Sequence, residues 1–329
     1  MRRVRIALWL AGVAVFTGAA GASAAPFAYI TNEGDHAVSS DLSVIDTATN
    51  TVVATVPAVG RYPEGVVVTP DGSHVYAGTE FDNSVTVIAT ATNTIVATVP
   101  VGQSPVGLAV TPDGSRVYVA NIGDNTVSVI ATATNTVVAT VPVGPGPVGV
   151  AVTPDGTRVY VTNFFDSTVS VIATATNTVM ATVVDTMQGA EVHPVGVVVT
   201  PNGSQVYVAN YGDSTVAVID TATNSVVALV LVGLSPEGVE VTPNGSRVYV
   251  TNNASNTVSV IDTATNLVVG FVPVGLFPQG VAVTRDGSRV YVANNGDNTV
   301  SVIDTATNLV VATVPVGSHP IGFGKFIGP

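Results

Sequence analysis

The sequence predicts an all-β protein, a seven-bladed β-propeller with four antiparallel strands in each blade. Three observations predict this fold: a sevenfold repeat, the strand-and-turn content of each copy, and the match between the two ends of the chain. The chain has 329 residues, of which 47% are hydrophobic and only 10% charged. That composition is enough for one large domain with a sizeable core.

The repeat is easiest to follow on the tyrosine of the phrase PDGSRVYVAN (112 to 121). This tyrosine recurs seven times, at spacings of 47, 42, 42, 47, 42 and 42 residues. The seven positions are Tyr29, Tyr76, Tyr118, Tyr160, Tyr207, Tyr249 and Tyr291. A period of this length is typical of propeller blades and of helical solenoids.

The content of one copy decides between these two architectures. Residues 106 to 143 contain four short apolar runs, VGLAV, RVYVAN, TVSVIA and TVVATVPV, separated by the turns TPDGS, IGDN and ATATN. Proline and glycine fix these turns, and the β-branched runs suit strands. Because no 3.6-residue apolar period is present, each copy is predicted to be a four-stranded blade.

The two ends of the chain predict how the ring closes. The segment PFAYITN (26 to 32) corresponds to the second strand of a blade that lacks a first strand. The segment HPIGFGKFI (319 to 327) corresponds to the first, inner strand of the other copies. We therefore expect the C-terminal segment to complete the N-terminal blade, which would leave no exposed sheet edge.

Residues 1–24 are predicted to be a signal peptide, which leaves 25–329 as the propeller. MRRVR is a positively charged start, IALWLAGVAVFTGAA is an apolar stretch, and Ala22-Ser23-Ala24 is a small-residue cleavage site. An uncleaved membrane anchor stays open as an alternative, although the apolar stretch is shorter than the roughly 20 residues of a membrane span. The sequence thus predicts export to the periplasm, the cell surface or the medium, with no transmembrane segment in the mature chain.

Charge and cysteine content exclude some classes of partner and cofactor. Cleavage would remove three arginines and change the formal net charge from −12 to −15. Such an acidic domain would be repelled by nucleic acid and by anionic lipid. The chain has no cysteine, so it has neither disulfides nor a haem attachment site.

The repeat phrases resemble those of a known family. The tetrapeptides YVTN, YVAN and YITN, the PDG turns and the VIDTATN segments resemble the YVTN-repeat β-propeller family over residues 26 to 328. The resemblance implies a bacterial or archaeal surface-layer or cell-surface protein. It also implies a fold similar to the propellers of nitrous oxide reductase, of the methylamine dehydrogenase heavy chain and of lactonase-type enzymes. This scaffold carries unrelated activities, so the resemblance predicts fold more firmly than function.

Function is expected where the copies differ. Two copies are longer than the others, mainly through NEGDHAVSSDL (32 to 42) and VDTMQGAEVHP (184 to 194). Both segments connect strands at the same face of a propeller, whereas the PDG and DTATN turns lie at the opposite face. Because variable loops on a fixed scaffold commonly carry binding, we expect the first face to bind a protein or a small molecule.

The mouth of the central channel supplies the candidate site residues. Each inner strand begins with x-Pro-x-Gly, and the residues on either side of the proline should surround the opening. The candidates for ligand binding are Tyr62, Glu64, His193, Glu237, Phe277 and His319, together with Glu240 further along its strand. Glu240 is unusual because a small residue stands at that position in the other inner strands, and a buried carboxylate needs a partner or a raised pKa.

Three interpretations follow, and the first is preferred. It is a non-enzymatic, exported propeller that presents a binding face. The second is a lactonase-like hydrolase at the channel mouth, with His193 and His319 as candidate ligands of a divalent metal beside Glu64 and Glu237. The third is an accessory protein of a redox enzyme. No cofactor is expected apart from that metal, and familiar catalytic motifs such as GxSxG and HExxH do not occur.

Overall fold

The computed structural model describes residues 26–34, 40–184 and 192–328. Those residues form 27 β-strands and two short 3-10 helices. The signal peptide predicted at 1–24 lies outside the described residues, as do parts of both long connections, 35–39 and 185–191. Within the described ranges, no helix has the length and apolar character needed to cross a membrane.

The strands group into seven sheets, which are numbered here as blades 1 to 7. Blade 1 contains β1 (Phe27–Asn32), β2 (Ser40–Asp46) and β3 (Thr51–Gly60). Blade 2 contains β4 (Pro63–Val68), β5 (His74–Thr79), the 3-10 helix η1 (Glu80–Asp82), β6 (Ser84–Ala89) and β7 (Thr94–Pro100). Blade 3 contains β8 (Pro105–Val110), β9 (Arg116–Asn121), β10 (Thr126–Ala131) and β11 (Thr136–Pro142).

The remaining four blades repeat the same order. Blade 4 contains β12 (Pro147–Val152), β13 (Arg158–Asn163), β14 (Thr168–Ala173) and β15 (Thr178–Val184). Blade 5 contains β16 (Pro194–Val199), β17 (Gln205–Asn210), β18 (Thr215–Asp220) and β19 (Ser225–Leu231). Blade 6 contains β20 (Pro236–Val241), β21 (Arg247–Asn252), the 3-10 helix η2 (Asn253–Ser255), β22 (Thr257–Asp262) and β23 (Leu267–Pro273). Blade 7 contains β24 (Pro278–Val283), β25 (Arg289–Asn294), β26 (Thr299–Asp304) and β27 (Leu309–Pro315).

The predicted seven-bladed propeller of four-stranded antiparallel blades is confirmed. In blades 2 to 7 the spatial order follows the chain order, and every neighbouring pair is antiparallel. The first strand of each blade packs against the first strand of the next, so these inner strands line a central channel. The fourth strands lie outermost, and in β11 and β23 exposed side chains alternate with half-buried or buried ones, as expected for a sheet with one solvated side.

The C-terminal segment closes the ring as predicted, but it is not a regular strand. It meets β1 through the bonds from Tyr29 N to Phe326 O (2.9 Å) and from Ile321 N to Thr31 O (3.0 Å), and Phe326 is fully buried. Between these contacts the segment also bonds to blade 2, where Val66 N donates to Phe323 O (2.8 Å). Gly322 and Gly324 have φ of +70° and +114°, which interrupts the extended conformation.

The inner strands pack so closely that one position in each admits only glycine. The carbonyl oxygen of the next blade's inner strand occupies the place where a side chain would begin. A Cβ added at Gly149 would lie 2.2 Å from the carbonyl oxygen of Val195, and one added at Gly107 would lie 2.1 Å from that of Val148. The glycine of the x-Pro-x-Gly phrase therefore allows adjacent backbones to meet around the channel.

A hydrogen bond between neighbouring blades also repeats around the ring. The core tyrosine of one blade donates its hydroxyl proton to the asparagine side chain of the next blade's TATN turn. The six pairs are Tyr76–Asn135, Tyr118–Asn177, Tyr160–Asn224, Tyr207–Asn266, Tyr249–Asn308 and Tyr291–Asn50. The last pair joins blade 7 to blade 1. At the junction of blades 1 and 2, the side-chain oxygen Oδ1 of Asn93 is buried without a partner among the described residues.

The glycine contact can be tested with two alanine substitutions. Gly149→Ala should destabilise the protein by about 1–3 kcal/mol or more, because the new methyl group meets a backbone oxygen that cannot turn aside. Gly270→Ala is the matched control, since no heavy atom lies within 4 Å of its added Cβ and Ala228 and Ala312 occupy the same place in other blades. We expect it to be neutral or stabilising. Equal unfolding midpoints in urea for the two variants would contradict the steric explanation.

The tyrosine link is tested in the same assay. Tyr249→Phe removes the donor to Asn308 Oδ1 (2.9 Å) and should cost about 1 kcal/mol of unfolding free energy. Tyr29→Phe is its control, because Tyr29 is equally buried and makes no side-chain hydrogen bond within the described residues. Removing that hydroxyl should cost nothing. A loss of the same size in both variants would show that the cost comes from removing a hydroxyl group at this position in the repeat, and not from the bond to the asparagine.

Candidate functional site

The channel has two different ends because all inner strands run in the same direction. We call the end at which these strands start, at prolines such as Pro63 and Pro105, the loop mouth. The end at which they turn back through Thr-Pro sequences, such as Thr69-Pro70, is the turn mouth. The described ends of the two long connections, up to Gly34 and from Ser40 and up to Val184 and from Val192, lie at the loop mouth, as the sequence predicts. Each end has its own cavity.

The loop-mouth cavity has a volume of about 420 Å³, and most of its lining residues belong to two rings around the channel. The first ring is the residue after each inner-strand proline: Glu64, Val106, Val148, Val195, Glu237, Gln279 and Ile321. The second ring is the residue four positions after each core tyrosine: Glu33, Glu80, Ile122, Phe164, Tyr211, Asn253 and Asn295. Members of both rings, together with Phe165 and Phe323, form the cavity wall.

The residue before each proline holds the second ring in place. Tyr62 and His193 have left-handed backbones (φ 57° and 51°), which is uncommon for residues other than glycine. In this conformation the Tyr62 carbonyl accepts from Glu80 N (3.0 Å) and the His193 carbonyl accepts from Tyr211 N (3.1 Å). The same bond occurs in every blade, so the residues before proline fix the backbone at the mouth.

The two halves of the mouth have opposite character. Blades 3 to 5 contribute a continuous apolar wall, in which Val106, Val148 and Val195 pack with Ile122, Phe164 and Phe323. Blades 6, 7, 1 and 2 contribute the polar members of both rings, including all four glutamates. A ligand in this cavity would therefore contact aromatic and aliphatic groups on one side and carboxyl groups on the other.

Glu64 and Glu80 form a hydrogen-bonded carboxyl pair. Burial raises the pKa of Glu64 well above its ordinary value, and the neighbouring carboxylates of Glu80 and Glu33 raise it further. Burial also raises the pKa of Glu80, although the hydrogen bond with Glu64 opposes this rise. Glu64 is therefore the member of the pair that holds its proton more strongly, its hydroxyl donates a hydrogen bond to the Glu80 carboxylate, and the two groups titrate as a unit.

Burial also raises the pKa of the other two glutamates of the mouth, Glu33 and Glu237. Burial raises the pKa of Glu33 to about 7, against the lowering effect of a hydrogen bond from the Tyr62 hydroxyl. Burial together with the nearby carboxylates raises the pKa of Tyr62 to about 12. Burial alone raises the pKa of Glu237 to about 8. Near neutral pH this mouth thus holds both protonated and ionised carboxyl groups, which is the condition for acid–base chemistry.

The structure separates the candidates that the sequence analysis grouped. Glu64 and Glu237 line the loop-mouth cavity. Tyr62, His193, Phe277 and His319 stand before their prolines and do not line it. Tyr62 stacks on Phe81 with ring centroids 4.8 Å apart, and His193 stacks on Phe164 at 4.6 Å. A direct role of these four residues in ligand binding stays a prediction.

Glu240 lies in the other cavity. It is 7% exposed, it lines the turn-mouth cavity, and its Oε1 accepts from Val241 N at 3.0 Å. Burial raises the pKa of Glu240, and the positive charge of Lys325 opposes this rise. Glu240 therefore does not belong to the set of glutamates at the loop mouth.

Metal binding by the predicted pair of His193 and His319 stays a prediction. His193 begins blade 5, whereas His319 begins the closing segment of blade 1, so other blades separate them in both directions around the ring. Among the residues that the structure describes, no three His, Asp or Glu side chains are placed to hold a metal ion.

Several residues of the cavity were missed by the sequence analysis. Glu80, Phe164, Phe165 and Tyr211 lie in segments such as TEFDN and NYGDS, which were interpreted only as strand connections. The signal was available in the same alignment, because the fourth position after each core tyrosine varies more than its neighbours. It was overlooked because nothing in one sequence shows that a turn residue faces the channel.

The fold is that of a seven-bladed propeller with a cavity at each end of its channel. A family model described as Lactonase, 7-bladed beta-propeller matches residues 20–140 and 131–267, and one described as YNCE-like beta-propeller matches residues 242–326. The chain belongs to the seven-bladed β-propeller lactonase family. The predicted resemblance to propellers is confirmed at this level, while the surface-layer type stays a prediction. No match is found among curated proteins.

Solved structures support the same fold. The Kuenenia stuttgartiensis hydrazine synthase is 25% identical with a TM-score of 0.76, over 84% of this chain and 92% of that one. A protein of unknown function from Desulfotomaculum acetoxidans is 19% identical with a TM-score of 0.73, over 91% and 99%. A candidate 6-phosphogluconolactonase from Bacteroides uniformis is 18% identical with a TM-score of 0.75, over 90% and 98%. Because the last two structures are less than 25% identical to this chain, they show only that the fold is shared.

The shifted pKa of Glu237 predicts how stability changes with pH. Because this pKa is about 8 in the folded protein and about 4.3 in an unfolded chain, the folded state binds the proton more tightly, and stability falls as pH rises between these values. Glu237→Gln removes this contribution. The variant should gain stability relative to the unmodified protein as pH rises from about 5 to 8, by at most about 1.4 kcal/mol per pH unit.

Thermal unfolding at several pH values measures this gain. Asp113→Asn is the control, since Asp113 is exposed at the turn face and asparagine stands at the same place in Asn202 and Asn244. It should keep the pH dependence of the unmodified protein. A pH-independent effect of Glu237→Gln would mean that Glu237 ionises normally.

Proposed function

We propose that the protein is a lactone hydrolase whose reaction takes place at the loop mouth. The observation that carries the proposal is the set of carboxyl groups there, the Glu64–Glu80 pair and Glu237, whose proton affinities are raised by burial beside an apolar wall. Membership of the lactonase family supports the same reaction class. This was the second interpretation of the sequence, and it now has better support than the preferred one.

The lining favours neutral lactones with an apolar substituent. Phe164, Phe165 and Tyr211 offer aromatic surface to a ring or a hydrocarbon chain. No arginine or lysine lies among the described residues of this cavity wall, whereas several glutamates do. A phosphorylated lactone, the class named for the Bacteroides uniformis structure, would therefore meet carboxylates without a compensating cation.

The carboxyl groups can supply both proton transfers of ester hydrolysis. The Glu64–Glu80 pair holds one proton and one negative charge, and its charged oxygen takes a proton from a water molecule as that water attacks the lactone carbonyl. When the ring C–O bond breaks, protonated Glu237 gives its proton to the departing alkoxide oxygen. The product is an open-chain hydroxy acid, and Glu237 recovers its proton from the pair through water. Each transfer by a positioned group typically contributes about 10²–10⁴-fold.

An assay of δ-lactone hydrolysis tests the proposal. The acid that the reaction releases is measured by pH titration. We expect turnover of neutral lactones such as δ-nonalactone, and a loss of about 10²-fold or more in kcat/KM for Glu237→Gln and for Glu80→Gln. The kcat/KM should fall above about pH 8 in the unmodified protein, because Glu237 then loses its proton.

Asp113→Asn again serves as the charge-matched control and should hydrolyse the same lactones at the unmodified rate. Turnover that survives in both glutamine variants would place the reaction elsewhere. Absence of turnover across a panel of γ- and δ-lactones would exclude the activity itself.

The other interpretations stay predictions. The binding-face interpretation depends on the two long connections, whose residues 35–39 and 185–191 lie outside the described residues. The redox-accessory interpretation is in line with the likeness to hydrazine synthase, although that name describes the other protein and not this chain. Export, with cleavage after Ala24, is likewise proposed from the sequence alone.

A further inference from the structure

The turn-mouth cavity has no place in the proposed reaction. It has a volume of about 580 Å³, within the range of sites for small organic ligands, and it reaches from Phe323 to the turn mouth. Its wall is mostly aliphatic. Six inner strands contribute a valine at the same position, namely Val68, Val110, Val152, Val199, Val241 and Val283.

Two departures from the repeat add positive charge to this cavity. Lys325 stands in the closing segment where the other six inner strands have the valine. Arg285 stands in the turn after β24, where the turns of blades 2 to 6 have a proline: Pro70, Pro112, Pro154, Pro201 and Pro243. Both side chains line the cavity and both are exposed at its opening.

These two cations differ from the others in their contacts. Seven arginines and lysines fall within the described ranges, and five of them are engaged. Arg61, Arg247 and Arg289 pair with aspartates, and Arg116 and Arg158 donate to the backbone carbonyls of Thr174 and Thr221 (2.8 and 2.6 Å). Arg285 and Lys325 make no side-chain hydrogen bond or ion pair with a described residue. The two cations that lack a hydrogen bond or ion pair with a described residue thus lie at one mostly aliphatic cavity.

We propose that the turn-mouth cavity binds a small carboxylate with an apolar body, whose carboxylate contacts Lys325 and Arg285 and whose body lies along the valine and proline rings. Two cationic donors can each donate a hydrogen bond to a carboxylate. Such charge-assisted hydrogen bonds are stronger than those between neutral groups. The hydrocarbon part would cover the aliphatic wall and displace water from it. This site is separate from the proposed lactone site and does not depend on it.

Glu240 sets the strength of this binding. Its carboxyl group lies in the same cavity and interacts electrostatically with Lys325, so it competes with a bound carboxylate for that cation. The simplest competing explanation is that Lys325 serves only to neutralise Glu240. The two explanations differ in what happens when each residue is replaced by the one that the other blades carry.

Isothermal titration calorimetry with octanoate tests the proposal on the purified full chain. We expect one octanoate per chain, and no comparable binding of octylammonium, which has the same hydrocarbon length and the opposite charge. Lys325→Val and Arg285→Pro each give the cavity the residue of the other blades and should each weaken octanoate binding about tenfold or more. Glu240→Ala, which copies Ala109 and Ala151, should strengthen it.

Arg61→Gln, which removes the same charge at the loop face, is the control and should leave octanoate affinity unchanged. Equal affinity for octanoate and octylammonium, or affinity untouched by both Lys325→Val and Arg285→Pro, would overturn the proposal. Failure of the unmodified protein to bind octanoate or a shorter or longer alkanoate would leave Lys325 as the counter-ion of Glu240 only. Thermal unfolding of each variant confirms that folding is retained, and Arg285→Pro provides a second variant if Lys325→Val does not fold.

Discussion

Close contact between the backbones of adjacent inner strands is the constraint on which the rest of this structure depends. Around most of the ring, the glycine two residues after each inner-strand proline faces a carbonyl oxygen of the next blade at a distance that excludes a Cβ atom. This contact sets the width of the channel. It also places the residue after each proline at the loop mouth, because that residue carries the carbonyl group in question. The geometry of the candidate site is therefore a consequence of how the ring closes.

The same constraint separates positions that must repeat from positions that can differ. The core tyrosine, its asparagine partner and the strand valines contact equivalent groups in the neighbouring blade, so a change in one copy would leave a cavity or an unpaired polar atom. The two rings at the loop mouth contact the channel instead. Their side chains can differ from blade to blade without breaking a contact between neighbouring blades, so one half of the mouth can be apolar and the other half acidic.

The buried glutamates of the acidic half lower the stability of the folded protein. Glu64, Glu80 and Glu237 all have a raised pKa because burial disfavours their ionised forms. Replacing them with the valines and aromatic residues of the opposite half would remove this cost. Carboxyl groups retained in an unfavourable environment are characteristic of sites that transfer protons, and this supports a chemical role for the mouth over a purely structural one.

The fold, the number of blades, the direction of the strands and the face at which the long connections begin and end could all be predicted from the sequence. This was possible because every blade solves the same packing problem with the same residues, and the period of the repeat records the solution. The sequence also indicated Glu64 and Glu237 as candidates at the channel mouth, and Glu240 as an unusual residue within its inner strand.

Only the tertiary structure decided which of these residues share a site. Glu64 and Glu237 lie in different blades and meet across the loop mouth, while Glu240, three residues after Glu237, lines the cavity at the turn mouth. Glu64 and Glu80 form a pair although a whole strand separates them along the chain. Residues from separate blades become neighbours only when the ring closes, and the direction in which a turn residue faces depends on backbone conformations, such as that of Tyr62, which one sequence does not reveal.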